Sequence, residues 1–368
     1  MRRPGFVLAI ALLLSSPGCG GFYYQAVSGH MQLMADRRPI DEVLEDPDTP
    51  ADLATRLRLV AEARAFATDT LDLPDNDSYR SYVALDRPYV VWNVFAAPEL
   101  SLTPKTWCFP VAGCVVYRGY FKESAARKYA TKLAGRGWDV YVGGAAAYST
   151  LGRFADPVNS AMMRWDDTRL VAIIFHELAH QQLYVADDSD FNEAFASSVE
   201  EIGIRLWLED RGDPESIVDH ETRRQRAAAF NYLLLDTREE LTRVYSSDRP
   251  DEVRREEKQA AFMRLRERYG VLRQSWEGYA GFDGWFEMEL NNARLIPVST
   301  YERLVPAFRA LFRRSGRNLQ AFYDRCEELA DLNSEERHRE LEALLAIAEP
   351  IREDRSSPAL QSTVPIRK

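Results

Sequence analysis

The sequence predicts an α+β fold, a small mixed sheet followed by a predominantly helical region. Three observations predict it. Short runs rich in β-branched and aromatic residues, with Pro or Gly between them, are confined to residues 79–165. Upstream, apolar residues recur at helical spacing over 22–36 and 51–70. From Asp167 onward the helical pattern is almost unbroken. The 368 residues allow two domains or one enlarged domain, and no internal repeat of fixed period is present.

Residues 1–18 have the layout of an export signal. Arg2 and Arg3 are followed by the apolar run Phe6–Leu14, about nine residues long and too short to span a bilayer, and then by Ser15-Ser16-Pro17-Gly18-Cys19. A cysteine directly after a small residue, with Gly20-Gly21 behind it, resembles the bacterial lipobox, although Ser16 and Pro17 replace its usual leucine and small residue. Lipidation of Cys19 and simple secretion are the two readings. Either gives an exported protein of the bacterial cell envelope; the first anchors it facing the periplasm, touching the membrane through its N-terminal lipid only.

The mature chain divides by texture. Residues 19–78 form an N-terminal helical region, its two helices separated by the Pro39–Pro50 loop. Residues 79–165 hold the small mixed sheet with its edge strand. Its runs are Tyr89–Phe95, Cys114–Phe121 and Trp138–Val142, and a helix over about 123–135 makes a crossover between the last two. Residues 166–349 are helical, with long charged segments near 214–246 and 250–275 split by Asp248-Arg249-Pro250, and 350–368 reads as a flexible tail.

Composition excludes several functions. With 47 Lys and Arg against 57 Asp and Glu, the net charge of −10 supplies no basic field for nucleic acid. Four cysteines, none in C-x-x-C spacing, argue against a disulfide scaffold or a structural zinc knuckle. Cys108 and Cys114 flank a span short enough to close a disulfide in an oxidising compartment; two buried thiols are the alternative.

The chemistry concentrates in residues 170–186, an apolar helix interrupted by His176, Glu177 and His180. This is H-E-x-x-H. Positions i and i+4 share a helix face, so two imidazoles can reach one Zn2+, while the glutamate beside the first points at the metal's open side. With only five histidines in the chain, coincidence is a weak explanation. The competing readings are two core histidines or a solvated pair.

His176-Glu177-Leu178-Ala179-His180-Gln181, followed by Asn192-Glu193-Ala194-Phe195-Ala196, resembles the gluzincin metallopeptidases, above all the aminopeptidase N type with its N-E-x-x-A second motif. The whole chain, with its lipobox start, Tyr24-x-Ala26 and Ala147-Tyr148-Ser149-Thr150-Leu151-Gly152, also resembles a family of bacterial lipoproteins described as putative aminopeptidases. The resemblance implies a zincin-type peptidase domain binding one Zn2+ per chain, a peptide substrate, and Glu193 as third metal ligand. Only twelve residues separate His180 from Glu193, fewer than the large gluzincins use. The alternative for Glu193 is a capping box with Asp190.

Further roles follow from the same resemblance. Glu200, two helical turns beyond Glu193, stands where such enzymes carry an acid that can orient a ligand histidine; an exposed glutamate is the alternative. Gly143, Gly144 and Tyr148 fall where gluzincins place the strand that pairs with an extended substrate, against the alternative of a plain turn. Glu177 is the implied general base. Tyr232, Tyr279 and Tyr301 are the candidates for an oxyanion donor, and Tyr301, in a less charged stretch, is preferred; a packing tyrosine is its alternative. No G-x-M-E-N motif marks the α-amine site, for which Asp156 is a candidate. The expected function is a zinc-dependent peptidase, an aminopeptidase by resemblance. A zinc endopeptidase and a non-catalytic envelope lipoprotein with a structural metal site are the alternatives.

Overall fold

The computed structural model describes residues 20–109, 113–297 and 303–347. Two compact units emerge. One comprises the described residues through Glu99 with those of Thr103–Asp187 and Val199–Trp207; the other comprises Leu100–Leu102, Asp188–Ser198 and the described residues from Leu208 on.

The first unit opens with α1 (Gly20–Ala35), then β1 (Arg38–Pro39), α2 (Ile40–Glu45) and α3 (Ala51–Asp69). In α3 the buried positions Ala54, Leu57, Val60, Ala63, Arg64 and Ala67 recur every three or four residues, the stripe that a core-facing helix needs. The strands follow: β2 (Ser81–Val83), β3 (Val91–Pro98), β4 (Trp107–Phe109), β5 (Gly113–Val115) and β6 (Arg118–Tyr120). After α4 (Glu123–Ala134) come β7 (Trp138–Ala145) and β8 (Val158–Asn159).

The fold class is α+β and predominantly helical, and the small sheet is divided into three. One has order β6-β3-β7, both pairings antiparallel. The outer strands β6 and β7 therefore run the same way, and α4 is the crossover between them over the intervening β3. Parallel pairing occurs instead between β2 and β8, in a sheet of order β1-β2-β8. In the third sheet β4 pairs with β5, and a disulfide joins the opposed residues Cys108 and Cys114. Trp92, Val94 and Ala96 of β3 alternate onto one face and meet Ala126, Ala130 and Leu133 of α4, spaced at four and three residues. The two periodicities thus bury each other.

Helix α5 (Asp167–Gln182) starts where Asp166 accepts the Arg169 N–H at 3.0 Å, an N-cap that satisfies one orphan donor. Leu170, Val171, Ala172, Ile174, Phe175, Leu178 and Ala179 are buried along it, on more than one face. Helix α6 (Ser189–Asp210) follows. Gly203 in α6 is a packing glycine: a Cβ there would lie 2.7 Å from both Phe175 and Leu71.

The second unit is helical. α7 (Pro214–Tyr245) and α8 (Asp251–Ser275) match the two charged segments of the sequence and bury Phe230, Leu233, Leu234, Leu241, Ala261, Phe262 and Leu265 in one cluster. Phe286 from the short α9 (Asp283–Phe286) joins them. α10 (Val305–Arg314), α11 (Leu319–Ala330) and α12 (Ser334–Ile347) complete the described chain. Phe308 and Phe322 from α10 and α11 enclose Phe191 and Phe195 of α6 in an aromatic layer with centroids 5.3–6.2 Å apart. No helix among the described residues is long and apolar enough to cross a membrane.

Candidate metal centre

His176 and His180 lie one turn apart on α5, and their Nε2 atoms approach to 3.2 Å. One nitrogen from each and a carboxylate oxygen of Glu193, from α6, all lie within 4.8 Å of one another. These three residues form a group able to hold a metal ion. Two nitrogens at 2.0–2.1 Å from a tetrahedral ion would stand roughly 3.3 Å apart, so the spacing of the imidazoles suits one. The donor set of two imidazoles and one carboxylate is chemically suited to zinc and leaves a fourth position.

Glu200 meets the first of these histidines. Its Oε2 lies 3.0 Å from His176 Nδ1. A carboxylate there accepts a hydrogen bond from Nδ1–H and so leaves Nε2 unprotonated, its lone pair directed away from Glu200, the tautomer a metal ligand needs. Glu200 lies seven positions after Glu193, two turns along one helix.

Glu193 is not a cap. The carboxylate that receives the helix start belongs to Asp188, which accepts the Phe191 N–H at 3.1 Å. That displaces the Asp190–Glu193 capping box expected as the alternative: the helix begins earlier, and Glu193 sits beyond its first turn.

Glu177 shares its helix face with Gln181, which accepts a hydrogen bond from Asn76 Nδ2 at 2.7 Å. The 76–79 turn and the 149–156 turn are tied together beside this face. Tyr79, in the left-handed region at φ 63°, donates its N–H to the Asp156 carbonyl at 2.6 Å. Burial drives the Tyr79 hydroxyl well above its ordinary pKa, and the negative charges of Glu177 and Asp156 push in the same direction. The Asp156 carboxyl is pushed up to about 6, by burial first, against hydrogen bonds from the Thr150 N–H and hydroxyl, with Glu177 adding to the rise. Asp156 is wholly buried and already accepts Thr150 N–H at 2.7 Å, so it holds the 149–156 turn rather than facing a substrate amine.

The remaining expected residues have these places. Gly143 and Gly144 lie on β7, which forms one edge of its sheet. The space above Gly144 is filled by the Tyr89 ring, which a Cβ would approach to 2.1 Å, and above Gly143 by the Tyr141 hydroxyl. The two glycines thus serve packing on the faces of the strand, while its outer edge is not paired in any described sheet. Tyr148 turns its hydroxyl to His30 Nδ1 at 3.3 Å and its ring against Phe121. Tyr232 is exposed. Tyr301 and Cys19 lie outside the described residues.

Sequence reasoning missed Asp188 and its partners. His338 lies 3.0 Å from both Asp188 oxygens, and Arg337 Nε donates to the same carboxylate at 2.8 Å. The cap itself had a signal, an aspartate just before an apolar helix. Its partners, about 150 positions away, had none.

A family model described as "Putative aminopeptidase" matches residues 21–341. No curated protein and no solved structure matches the chain.

Proposed function

Because this chain belongs to the putative aminopeptidase family, we propose that it is a zinc-dependent aminopeptidase of the bacterial cell envelope, exported and lipid-anchored through Cys19. The observation that carries the catalytic reading is the convergence of His176, His180 and Glu193 within 4.8 Å, with Glu177 beside the first ligand. Bound there, zinc would supply Lewis acidity toward a substrate carbonyl and acidify the attacking water.

The chain's own residues do the rest. Glu200 fixes the His176 tautomer through Nδ1. Glu177 takes the proton of the attacking water and returns it to the leaving amine. As an outer strand of its sheet, β7 stands where an extended peptide could pair with it. Tyr301 remains the candidate donor to the developing oxyanion. An intact glutamate between the histidines favours catalysis over a structural site, which four protein ligands normally close.

The decisive experiment pairs Glu177→Gln with a peptide library presented free and N-acetylated. The expected result is retained zinc, by elemental mass spectrometry, with hydrolysis lowered by at least about 10²–10⁴-fold, because the amide cannot take the proton. Acetylation should nearly abolish wild-type turnover, since it removes the α-ammonium group that positions a substrate for an exopeptidase. Equal hydrolysis by Glu177→Gln would defeat the catalytic assignment. Internal cleavage of acetylated peptides at comparable rates would leave an endopeptidase.

A further inference from the structure

Asp188 stands where the loop after α5 turns into α6, and it is 7% exposed. Its carboxylate accepts the Phe191 N–H at 3.1 Å, Arg337 Nε–H at 2.8 Å, and faces His338 Nε2 at 3.0 Å. Burial works to raise this carboxyl, yet the hydrogen bonds from Arg337, His338 and Phe191 outweigh it and hold the group ionised. Arg337 is itself 4% exposed and gives its Nη1 to the carbonyls of Ala330 and Leu332, at 3.1 and 2.7 Å. Its guanidinium lies over the Phe191 ring, 5.5 Å from the centroid.

A helix needs only an exposed aspartate for its cap. Burying that aspartate with an arginine costs desolvation that the pair's attraction barely repays, so stability alone explains the arrangement poorly. Geometry explains it better. The pair fixes both the axial position and the roll of the first turns of α6, while Phe191 and Phe195 are held by Phe308 and Phe322. Glu193 sits between those two phenylalanines in the sequence, on the stretch of α6 that these contacts hold.

We propose that Arg337 and His338 are positioning residues for the metal centre: through Asp188 they set the placement of Glu193, so helix α12 governs how tightly the third donor closes on the ion. The proposal rests on the metal-site reading above.

Zinc affinity of the full chain, measured by competition with a chromophoric chelator, tests it alongside the urea midpoint. Arg337→Met is expected to weaken zinc by about 10-fold, the lower end of the loss when a group bonded directly to a ligand is removed, because Arg337 acts one contact further out. His338→Ala, at a side chain 30% exposed, should weaken it in the same direction and serves if Arg337→Met does not fold. Leu341→Ala, which removes a fully buried side chain from the same helix without touching Asp188, should lower the urea midpoint and leave zinc affinity unchanged. Equal loss of zinc affinity in His338→Ala and Leu341→Ala would reduce the network to ordinary stabilisation and overturn the proposal. So would unchanged affinity in His338→Ala and in a folded Arg337→Met. Glu193→Ala separates the two readings: if it binds zinc like the wild type, the metal assignment falls and takes the proposal with it; if it loses zinc while the Arg337 and His338 variants do not, only the positioning role fails.

Discussion

Helix α5 buries eight of its sixteen residues, whereas α7, twice as long at 32 residues, buries five. Both start from an aspartate whose side chain receives a backbone N–H of the first turn. They differ in what happens beyond the cap. In α5 apolar side chains are buried around most of the circumference, and two of the polar side chains set among them, His176 and His180, belong to the candidate metal centre. In α7 one stripe is buried and much of the rest is charged, with Glu240 and Asp236 paired to Arg264 and Arg268 of α8 at the surface. Such surface pairs contribute about 0–1 kcal/mol each. The contrast teaches that an apolar jacket fixes atoms in place, and that the chain spends it where a ligand must stay within a fraction of an ångström.

If that is right, equal truncations should cost unequal amounts. Phe175→Ala in α5 removes a wholly buried ring stacked near Phe66 and Trp207, and should lower the unfolding free energy by about 3–5 kcal/mol. Val218→Ala in α7, where the valine is 64% exposed, should change it by under about 0.5 kcal/mol. Chemical denaturation of both variants checks the pair; comparable losses would erase the distinction.

Asp156 sharpens the comparison on the α5 side. Its folded pKa of about 6 stands above the unfolded value, so the folded state binds more protons between roughly pH 4 and 6. The resulting stability is present below that window and is lost as pH rises through it, by up to about 3 kcal/mol. Asp156→Asn should flatten this slope in zinc-free protein, read from urea midpoints across a pH series. A smaller effect is expected at Gly203, where Gly203→Ala forces a methyl against Phe175 and Leu71 and should cost about 1–3 kcal/mol by thermal denaturation. A neutral result there would mean that α6 can move away from α5 without penalty.

Legibility in the sequence followed the range of the interaction. His176, Glu177 and His180 were readable because a helix fixes i and i+4, and Glu200 because two turns return to one face. The helices over 123–135, 214–246 and 250–275 were readable for the same reason, each being a local periodicity with local stops. Of the strands, β3, β7 and the run that divides into β5 and β6 were readable; β1, β2, β4 and β8 were not, nor was the division into three sheets, since pairing β2 with β8 joins residues some 75 positions apart. Tyr79 at positive φ had no local signal, because its backbone is held by Asp156 from a distant turn. Gly144 looked like room for a substrate; the ring that occupies the room comes from Tyr89, on another segment. Arg337 and His338 were invisible because their partner is about 150 positions away.

The β2–β8 pair also bears on how the molecule opens. Tyr82 and Val83 lie against Val158 and Asn159, Ser160 N–H bonds the Val83 carbonyl at 3.0 Å, and Leu85 N–H bonds Ser160 Oγ at 2.9 Å. The ends of residues 84–157 are therefore fastened side by side, and the sheet β6-β3-β7 with its crossover helix is an excursion from that fastening. Loop-closure entropy for so long an excursion is paid once, at the fastening, and grows only slowly with its length. Breathing within the excursion would leave the chain on either side in register, so hydrogen exchange is expected to show its amides opening as a unit while α5 keeps its protection.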